Sequence, residues 1–238
     1  MADMDPNLRR LMLAYYDERA HEYDEVYALG TGSASIPNPE AFTAEVPALG
    51  EVVERIARGR LMDLACGTAY WLPRYAPTCS QITLFDQSAR MLAESRARAD
   101  RLGVADRCVF LHGDVLEHDL APAAYDTVLV GFLLSHLTNA QEQRVFEAIQ
   151  HMLAPTGQFV ILDSAWTPER AKYNARVERQ PRQLNDGTAF EIYKRYLDRD
   201  DFARWTREYA VTVQVEHFGS AWLAVSGHAR DASPGRRD

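Results

Sequence analysis

The feature that most constrains this chain is a short apolar run that carries one acid and leads into a turn of small residues. It lies at residues 60–71 and reads RLMDLACGTAYW. Such a run followed by small residues predicts a buried strand that feeds a helix through a tight turn. Small residues such as Gly67 let the backbone approach a ligand, and the start of the helix offers it free N–H groups.

A second apolar run supplies the partner of this turn. Residues 82–85 end at Asp86, nineteen residues after Gly67. An acid at the tip of the second strand can accept hydrogen bonds from a ribose diol. The two segments together predict a binding site for an adenosine-containing cofactor.

The composition of the turn separates two classes of cofactor. A dinucleotide needs the pattern G-x-G-x-x-G because its pyrophosphate lies against the helix start, whereas Gly67 is the only glycine here. Asp63, two residues before the turn, would repel a pyrophosphate but could attract the ammonium group of an amino acid. The sequence therefore disfavours a nicotinamide oxidoreductase. The alternative is an ordinary strand–turn–helix crossover without a ligand.

Composition narrows the remaining classes. The chain has 238 residues, 47% of them hydrophobic and 25% charged, which suits one soluble α/β domain with a sizeable core. A net charge of −8 argues against an extended nucleic acid as partner. The three cysteines lack metal-ligand spacing, and no apolar run has the length of a membrane span. We therefore expect a cytoplasmic protein that binds neither a metal nor a membrane.

Apolar runs and helix-like segments alternate along the middle of the chain. The runs predict strands that end at Leu64, Phe85, Leu111 and Val130, and a fifth strand at residues 158–163. Helices are expected at residues 71–76, 88–102 and 139–153. This alternation predicts βαβ units and a parallel sheet whose strand ends meet at one ligand-binding edge.

Helices are also predicted before this alternation. Residues 8–27 favour one or two amphipathic helices, and residues 30–38 form a loop whose last residue can cap a second helical region. That region runs to about Arg58, with Gly59 as its stop, and Pro47 is expected to kink or split it.

The pattern changes after residue 163. Residues 164–185 are polar and residues 187–196 alternate like a half-exposed strand, so this insertion can arch over the strand ends. A helix from residue 198 or 200 to 209 precedes two strands, at 211–218 and 221–226, which form an antiparallel hairpin at the sheet edge.

The predicted fold class is therefore α/β and Rossmann-like, with a mostly parallel seven-stranded sheet and an antiparallel C-terminal hairpin. We expect one domain at residues 1–228. Within it, residues 1–58 form an N-terminal helical lid and residues 164–196 a substrate lid, and residues 229–238 form a disordered tail.

Several segments resemble those of class I S-adenosylmethionine-dependent methyltransferases. The turn resembles the family's D-x-G-x-G-x-G motif, with Ala65 and Ala69 where glycine is usual. Residues 15–24 resemble the family's N-terminal helix, and residues 113–115 its acidic motif after the third strand. Residues 125–132 resemble the fourth strand, and residues 153–158 the turn before the fifth. A narrower likeness, at residues 67–71, 131–136 and 184–194, is to the small-molecule methyltransferases that include the phosphonate O-methyltransferase of the dehydrophos pathway.

The resemblance implies a cofactor, S-adenosyl-L-methionine, with S-adenosyl-L-homocysteine as product. Asp114 would accept a hydrogen bond from the adenine amino group, and the N–H of Val115 would donate to the ring. Gly131 and Phe132 would lie under the methionine part. The expected cofactor-binding residues are Tyr16, Tyr23, Asp63, Ala65, Gly67, Trp71, Asp86, Gln87, Met91, Asp114, Val115, Gly131 and Phe132. For the aromatic residues the alternative is core packing.

Three residues are candidates for work on the substrate. His136 follows the fourth strand and could act as a general base, since histidine titrates near neutral pH; the alternative is a histidine packed at a helix start. Arg182 and Lys194 flank the turn of the lid and could bind a carboxylate or phosphonate; the alternative is a solvated basic lid.

The expected reaction is in-line transfer of a methyl group from a sulfonium to a small molecule, most simply to an oxygen of an anionic metabolite. If the acceptor is instead a phenol, an alcohol or an amine, His136 becomes the candidate base. A non-catalytic S-adenosylmethionine-binding protein is the rival of another class. The protein is expected to be a monomer or a homodimer.

Overall fold

The computed structural model describes residues 4–28 and 39–230. The predicted loop at residues 30–38, with the cap at Asn38, lies outside the described residues. So do residues 231–238 of the tail predicted at 229–238, whereas Ala229 forms a bridge with Val211 and the N–H of Arg230 donates to the Ala210 carbonyl at 2.8 Å. Within the described ranges, no helix is both long and apolar enough to cross a membrane.

A seven-stranded sheet forms the centre of the molecule, with strand order β3-β2-β1-β4-β5-β9-β8. Its strands are β1 Gly59–Leu64, β2 Cys79–Asp86, β3 Cys108–His112, β4 Tyr125–Gly131, β5 Leu153–Ser164, β8 Gln214–Phe218 and β9 Trp222–Gly227. The first five are parallel, and β9 runs antiparallel to both β5 and β8. The predicted fold class and C-terminal hairpin are thereby confirmed.

Helices cover both faces of this sheet. They are α1 Pro6–Arg19, α2 Glu25–Ala28, α3 Pro39–Ala44, α4 Val46–Ile56, α5 Leu72–Tyr75, α6 Ala89–Arg101, α7 Asn139–Met152 and α8 Arg199–Glu208. Successive residues of β5 enter different cores: Val160 and Leu162 join the side of α4, whereas Phe159 and Ile161 join the side of α7. Alternate burial on both faces explains why the strand is apolar throughout.

The second N-terminal helical region is split next to Pro47, within the prediction, but its end differs from the predicted one. The helix divides at Glu45, between α3 and α4, so that Pro47 lies in the first turn of α4 rather than at a kink. Proline is tolerated there because the first turn has no intrahelical acceptor for its missing N–H. Helix α4 ends at Ile56, and Gly59 begins β1 with a φ of 69° instead of stopping a helix.

The insertion after β5 contains a strand that the sequence did not predict. Strand β6, Val177–Gln183, pairs antiparallel with β7, Ala189–Arg195, in a separate two-stranded sheet. Polar residues dominate β6, and only Gln180 is buried in it, so it has no apolar alternation. Helix α1 packs on β7 through a small apolar cluster of Met4, Leu8, Met12, Tyr15, Leu184 and Ile192. The N-terminal helix and the insertion therefore form one unit.

One carboxylate holds the C-terminal hairpin against the N-terminal helices. Glu45 accepts hydrogen bonds from the N–H groups of Ser220, Ala221 and Trp222 at 2.7, 3.2 and 3.1 Å, and from the Ser220 hydroxyl at 2.6 Å. Burial raises the pKa of Glu45, but the bonds from Ser220 and His217 and the backbone outweigh it and hold the pKa below its usual value. The contact fixes the start of β9.

We predict that Glu45→Gln lowers the free energy of unfolding by about 1–3 kcal/mol, because an amide cannot accept all of these bonds and leaves buried N–H groups unpaired. Urea denaturation monitored by circular dichroism measures the loss. Glu54→Gln is the matched control, since Glu54 is 58% exposed and forms only a surface pair with Arg74. Equal effects of the two substitutions would contradict the role of Glu45.

Candidate active site

The turn after β1 is built on left-handed backbone. Ala65, Gly67 and Ala69 have φ angles of 59°, 55° and 53°. An L-residue pays roughly 1–2 kcal/mol for this conformation, and alanine adopts it here with the smallest side chain that has a Cβ atom. Phe132, just after β4, also has a positive φ of 57°. Strained backbone of this kind clusters at ligand sites, and both turns lie at the carboxyl edge of the sheet.

Asp86 joins the turn to the end of β2. Its carboxylate accepts from the N–H of Gly67 and from that of Ser88, each at 2.8 Å. The N–H of Gln87 also bonds this carboxylate, and since a carboxylate has about four acceptor positions, capacity remains for a ligand. Burial raises the pKa of Asp86, and the bonds from Ser88 and Gly67 oppose that rise without cancelling it.

Asp114 follows β3 and carries two contacts within the protein. It accepts from the N–H of Leu116 at 2.9 Å and forms an ion pair with Arg9 of helix α1. Arg9 also bonds the exposed Glu117 at 3.1 Å. The N-terminal helix therefore closes directly over the acid that was predicted to contact adenine.

These elements enclose a cleft at the carboxyl edge of the sheet, beneath α1. The residues of the predicted site that line it are Tyr16, Tyr23, Ala65, Gly67, Asp86, Gln87, Met91, Asp114, Val115, Gly131, Phe132 and His136. Helix α1 adds Arg9 and Met12 to the lining. The cleft is mainly apolar, with carboxylates at separate points along it.

His136 lies at the inner end of this cleft, in a short 3₁₀ segment, Leu134–His136. Its Nδ1 atom is 2.9 Å from the carbonyl oxygen of Tyr193, which can only accept, so Nδ1 carries the proton. The hydroxyl of Tyr16, 2.8 Å from Nε2, therefore donates to the ring. Burial lowers the pKa of His136 well below its usual value, and the charge of Lys194 adds to this effect. The imidazole is neutral and its lone pair is occupied.

A second cleft, of about 340 Å³, adjoins the first and shares Tyr16, Tyr23, Phe132 and His136 with it. Its other walls come from β6, β7, the segment that precedes them, the N-terminal helices α1–α3, the end of β5 and the start of β9. Five cationic residues line it: Arg19, Arg170, Arg179, Arg182 and Lys194. Among the described lining residues the one acid is Glu178, which already accepts from Asn174 at 3.2 Å. This cleft is positively charged although the chain as a whole carries a charge of −8.

Residues 61–157 match a protein family described as a methyltransferase domain. Over 164 residues the chain is 24% identical to the ubiquinone/menaquinone biosynthesis C-methyltransferase UbiE of Cereibacter sphaeroides. That similarity covers 63% of this chain and 64% of the relative, so the chain spans slightly less than two thirds of the length of the curated relatives that it matches.

Solved structures resemble nearly the whole chain. The DhpI–SAM–HEP complex has a TM-score of 0.75 at 24% identity and covers 94% of this chain and 99% of its own. A second match is the 1,6-didemethyltoxoflavin-N1-methyltransferase of Burkholderia thailandensis, solved with bound 1,6-didemethyltoxoflavin and S-adenosylhomocysteine. It has a TM-score of 0.62 at 15% identity, and the match covers 97% of this chain and 95% of that one. Residues 61–157 thus match a methyltransferase domain, and the chain has the fold of these solved structures. The predicted family, fold and S-adenosylmethionine cofactor class agree with these matches.

Two residues expected at the cofactor of this methyltransferase domain lie outside the cleft. Asp63 is buried within β1, where the Tyr75 hydroxyl donates to it at 2.7 Å. Burial raises its pKa to about 7, the bond from Tyr75 opposes the rise, and the charge of Asp86 adds to it. Trp71 packs among aromatic residues, and its ring centroid lies 5.6 Å from that of Tyr27 in an edge-to-face arrangement. The prediction placed both by their spacing from the turn, but the pleat of β1 and the start of α5 direct them into the core.

The lid candidates of the methyltransferase domain lie in the second cleft. Arg182 bonds the side-chain oxygen of Gln180 at 2.6 Å, and Lys194 donates to the hydroxyl of Ser135 at 2.7 Å. Sequence reasoning missed Arg19 and Arg170, which face the same space. Arg19 is part of the Y-Y-x-x-R-A segment, so that motif held the signal. Arg170 lies in a polar stretch without a pattern.

Lys194 is a cation whose charged form is disfavoured by burial. It is 7% exposed. Burial lowers its pKa to about 7; the charge of Asp163 opposes the shift, and those of Arg182, Arg170 and Arg19 add to it. Near neutral pH the folded protein therefore binds this proton only partly, whereas an unfolded lysine keeps it until the pH approaches 10.5.

We predict that Lys194 makes the protein more stable as pH rises from 7 to 9, because the unfolded state alone then keeps the proton. The contribution is roughly 1–3 kcal/mol across these two pH units. Urea unfolding at both pH values should show the rise in the wild type and a smaller rise in Lys194→Met. Lys172→Met is the control, since Lys172 is exposed and pairs with Glu169. An identical pH dependence in all three proteins would refute the low pKa.

Proposed function

We propose that this protein transfers a methyl group from S-adenosylmethionine to an oxygen of a small anionic molecule, a carboxylate or a phosphonate. The observation that carries the proposal is the junction of two clefts. An apolar cleft with acids suited to adenosine meets a cationic cleft at Tyr16 and His136. The methyl donor and the acceptor would approach each other at this junction, where water is excluded.

The first cleft suits the nucleoside part of the cofactor. The remaining acceptor capacity of Asp86 can take ribose hydroxyls, beside the N–H groups of Gly67, Ser88 and Gln87 that it already holds. Asp114 can accept from the adenine amino group if it shares its oxygens with Arg9. Gly67 has no Cβ atom, and the nearest side chains, Tyr23 and Met91, would come no closer than 3.8 Å to one. Tyr23 and Met91 therefore border the turn at van der Waals distance and would be the side chains that a ligand beside it contacts.

The state of His136 favours an acceptor that is already ionised. Its Nε2 lone pair receives the hydrogen bond from Tyr16, and its Nδ1 proton is donated to the Tyr193 carbonyl. To act as a base it would first have to release Tyr16. An anionic oxygen needs no base, so the site has only to hold it in line with the methyl carbon and the sulfur. Methylation of a phenol, an alcohol or an amine is the alternative, because a neutral imidazole is the form that accepts a proton.

We predict that Asp86→Ala weakens the binding of S-adenosylhomocysteine by roughly ten- to a hundred-fold, because the ribose hydroxyls lose their acceptor. Isothermal titration calorimetry measures the affinity. Asp126→Ala is the control, since Asp126 pairs with Arg60 at the opposite end of the sheet. Unchanged affinity in a folded Asp86→Ala variant would remove Asp86 from the cofactor site. No binding by the wild type would favour a different ligand altogether.

We also predict that the kinetics of three variants distinguish an anionic acceptor from one that must lose a proton. The acceptor is first found by screening carboxylates, phosphonates, phenols, alcohols and amines for S-adenosylmethionine consumption. For an anionic acceptor, Arg182→Ala and Lys194→Ala should raise KM more than they lower kcat, because ground and transition states share the contact. His136→Asn should keep most activity.

Steady-state kinetics with Lys172→Ala as a neutral control decides between the classes. If the acceptor must lose a proton, His136→Asn should instead lower kcat on the order of 10²–10⁴-fold. That result, beside near-normal Arg182→Ala and Lys194→Ala, would replace the anionic acceptor with a protonated one. A wild type that binds the cofactor but methylates nothing in the panel would favour the non-catalytic binding protein.

A further inference from the structure

Arg19 is a buried cation with two unpaired nitrogen atoms in the part of the chain that the structure describes. It is the last residue of α1 and is 6% exposed. Its Nε and Nη2 atoms are buried and have no hydrogen-bond partner among the described residues. The guanidinium lies over the ring of Tyr23, 4.8 Å from its centroid, and 5.6 Å from that of Tyr15. Aromatic faces of this kind attract a cation but cannot accept its in-plane N–H bonds.

The acid one turn further along the chain does not pair with it. Glu22 is also buried, and its carboxylate accepts from the N–H of Asn185 at 3.1 Å. It lies 3.8 Å from His21, and within the described residues no ion pair joins it to Arg19. A buried guanidinium with unsatisfied donors is costly, and native proteins rarely leave such a group unexplained.

The two unpartnered atoms have a defined geometry. In a guanidinium, the hydrogens of Nε and Nη2 point the same way and form one side-on fork, which matches two oxygens of a carboxylate or of a tetrahedral anion. Arg19 lines the second cleft, together with Arg182 and Lys194. By contrast, Arg170 already uses its Nε and Nη2 on the carbonyl oxygens of Ala165 and Ala221, at 2.8 and 2.7 Å.

We propose that Arg19 is a positioning residue that holds two oxygens of the substrate's anionic group in its side-on fork, and so couples substrate binding to closure of the N-terminal helix. The proposal rests on the proposed function of the same site. The anion would bridge Arg19 on α1 to Lys194 on β7 and Arg182 on β6. Three elements that surround the cleft would then share one ligand, and the order of the N-terminal helix would depend on it.

The test measures anion binding without turnover. The protein is saturated with S-adenosylhomocysteine and titrated with inorganic phosphate, methylphosphonate or acetate, and affinity is read by calorimetry. Arg19→Gln should weaken binding of the favoured anion roughly 30-fold or more, because it removes one partner of a buried charge pair. Arg19→Lys keeps the charge without the fork and should be intermediate. Arg207→Gln is the control, since Arg207 lies on α8 away from the cleft, is 66% exposed and forms a surface pair with Glu208; anion affinity in this variant should stay within about threefold of the wild type.

Two further readouts separate positioning from a structural role. Without anion, Arg19→Gln should be at least as stable to heat as the wild type, because it removes an unpaired buried charge. Hydrogen exchange in α1 should slow on adding the anion in the wild type but not in Arg19→Gln. A less stable Arg19→Gln that still binds the anion would make Arg19 structural. If that variant does not fold, Arg19→Lys binding with wild-type affinity overturns the fork, and so does a wild type that binds none of the anions.

The outcomes also separate this inference from the proposed function. Anion binding that depends on Arg19, in a protein that methylates no acceptor, would retain the inference and reject the proposed function. If Arg19→Gln methylates an anionic acceptor with unchanged kcat/KM, the proposed function is retained and the inference about Arg19 is rejected.

Discussion

The contact on which the candidate site depends is the carboxylate of Asp86. It accepts from the N–H of Gly67 in the turn after β1 and from that of Ser88 at the start of α6. Two neighbouring parallel strands, the turn after β1 and the start of α6 are thereby fixed relative to each other by one side chain. The left-handed backbone at Ala65 and Ala69 is sustained because this contact and the buried strands over-determine the turn. Any ligand that replaces water in the cleft meets a surface whose donors and acceptors are already oriented.

The second constraint is the burial of positive charge. A chain with a net charge of −8 places Arg19, Arg170, Arg182 and Lys194 around one cleft, and the low pKa of Lys194 reflects their mutual repulsion together with burial. Apolar packing elsewhere offsets the free-energy cost of burying these cations, since α1 and β7 share an apolar cluster around Tyr15. A group that neutralised these cations would stabilise the arrangement, which is why an anion is the simplest ligand for it.

The sequence predicted the sheet well and the lid poorly, for one physical reason. Strands such as β5 are buried on both faces, so their sequences are nearly continuous apolar runs that can be recognised without the structure. The strand β6 is held by backbone pairing to β7 and leaves no apolar pattern. Asp86 could be identified because its position follows from a strand end. The direction of Asp63 into the core, where Tyr75 meets it, depends on tertiary packing that spacing alone does not specify.

The pair formed by Tyr16 and His136 connects the lid to the sheet and limits the chemistry between the clefts. Tyr16 comes from α1 and His136 from the segment after β4, while the Tyr193 carbonyl that fixes the tautomer comes from β7. Three separate elements must be in place before the imidazole is neutral and its lone pair is filled. This arrangement of α1 and β7 therefore occupies the candidate base at the junction. Such a site gains most from an acceptor that brings its own charge, because the closed state can orient it and exclude water without moving a proton.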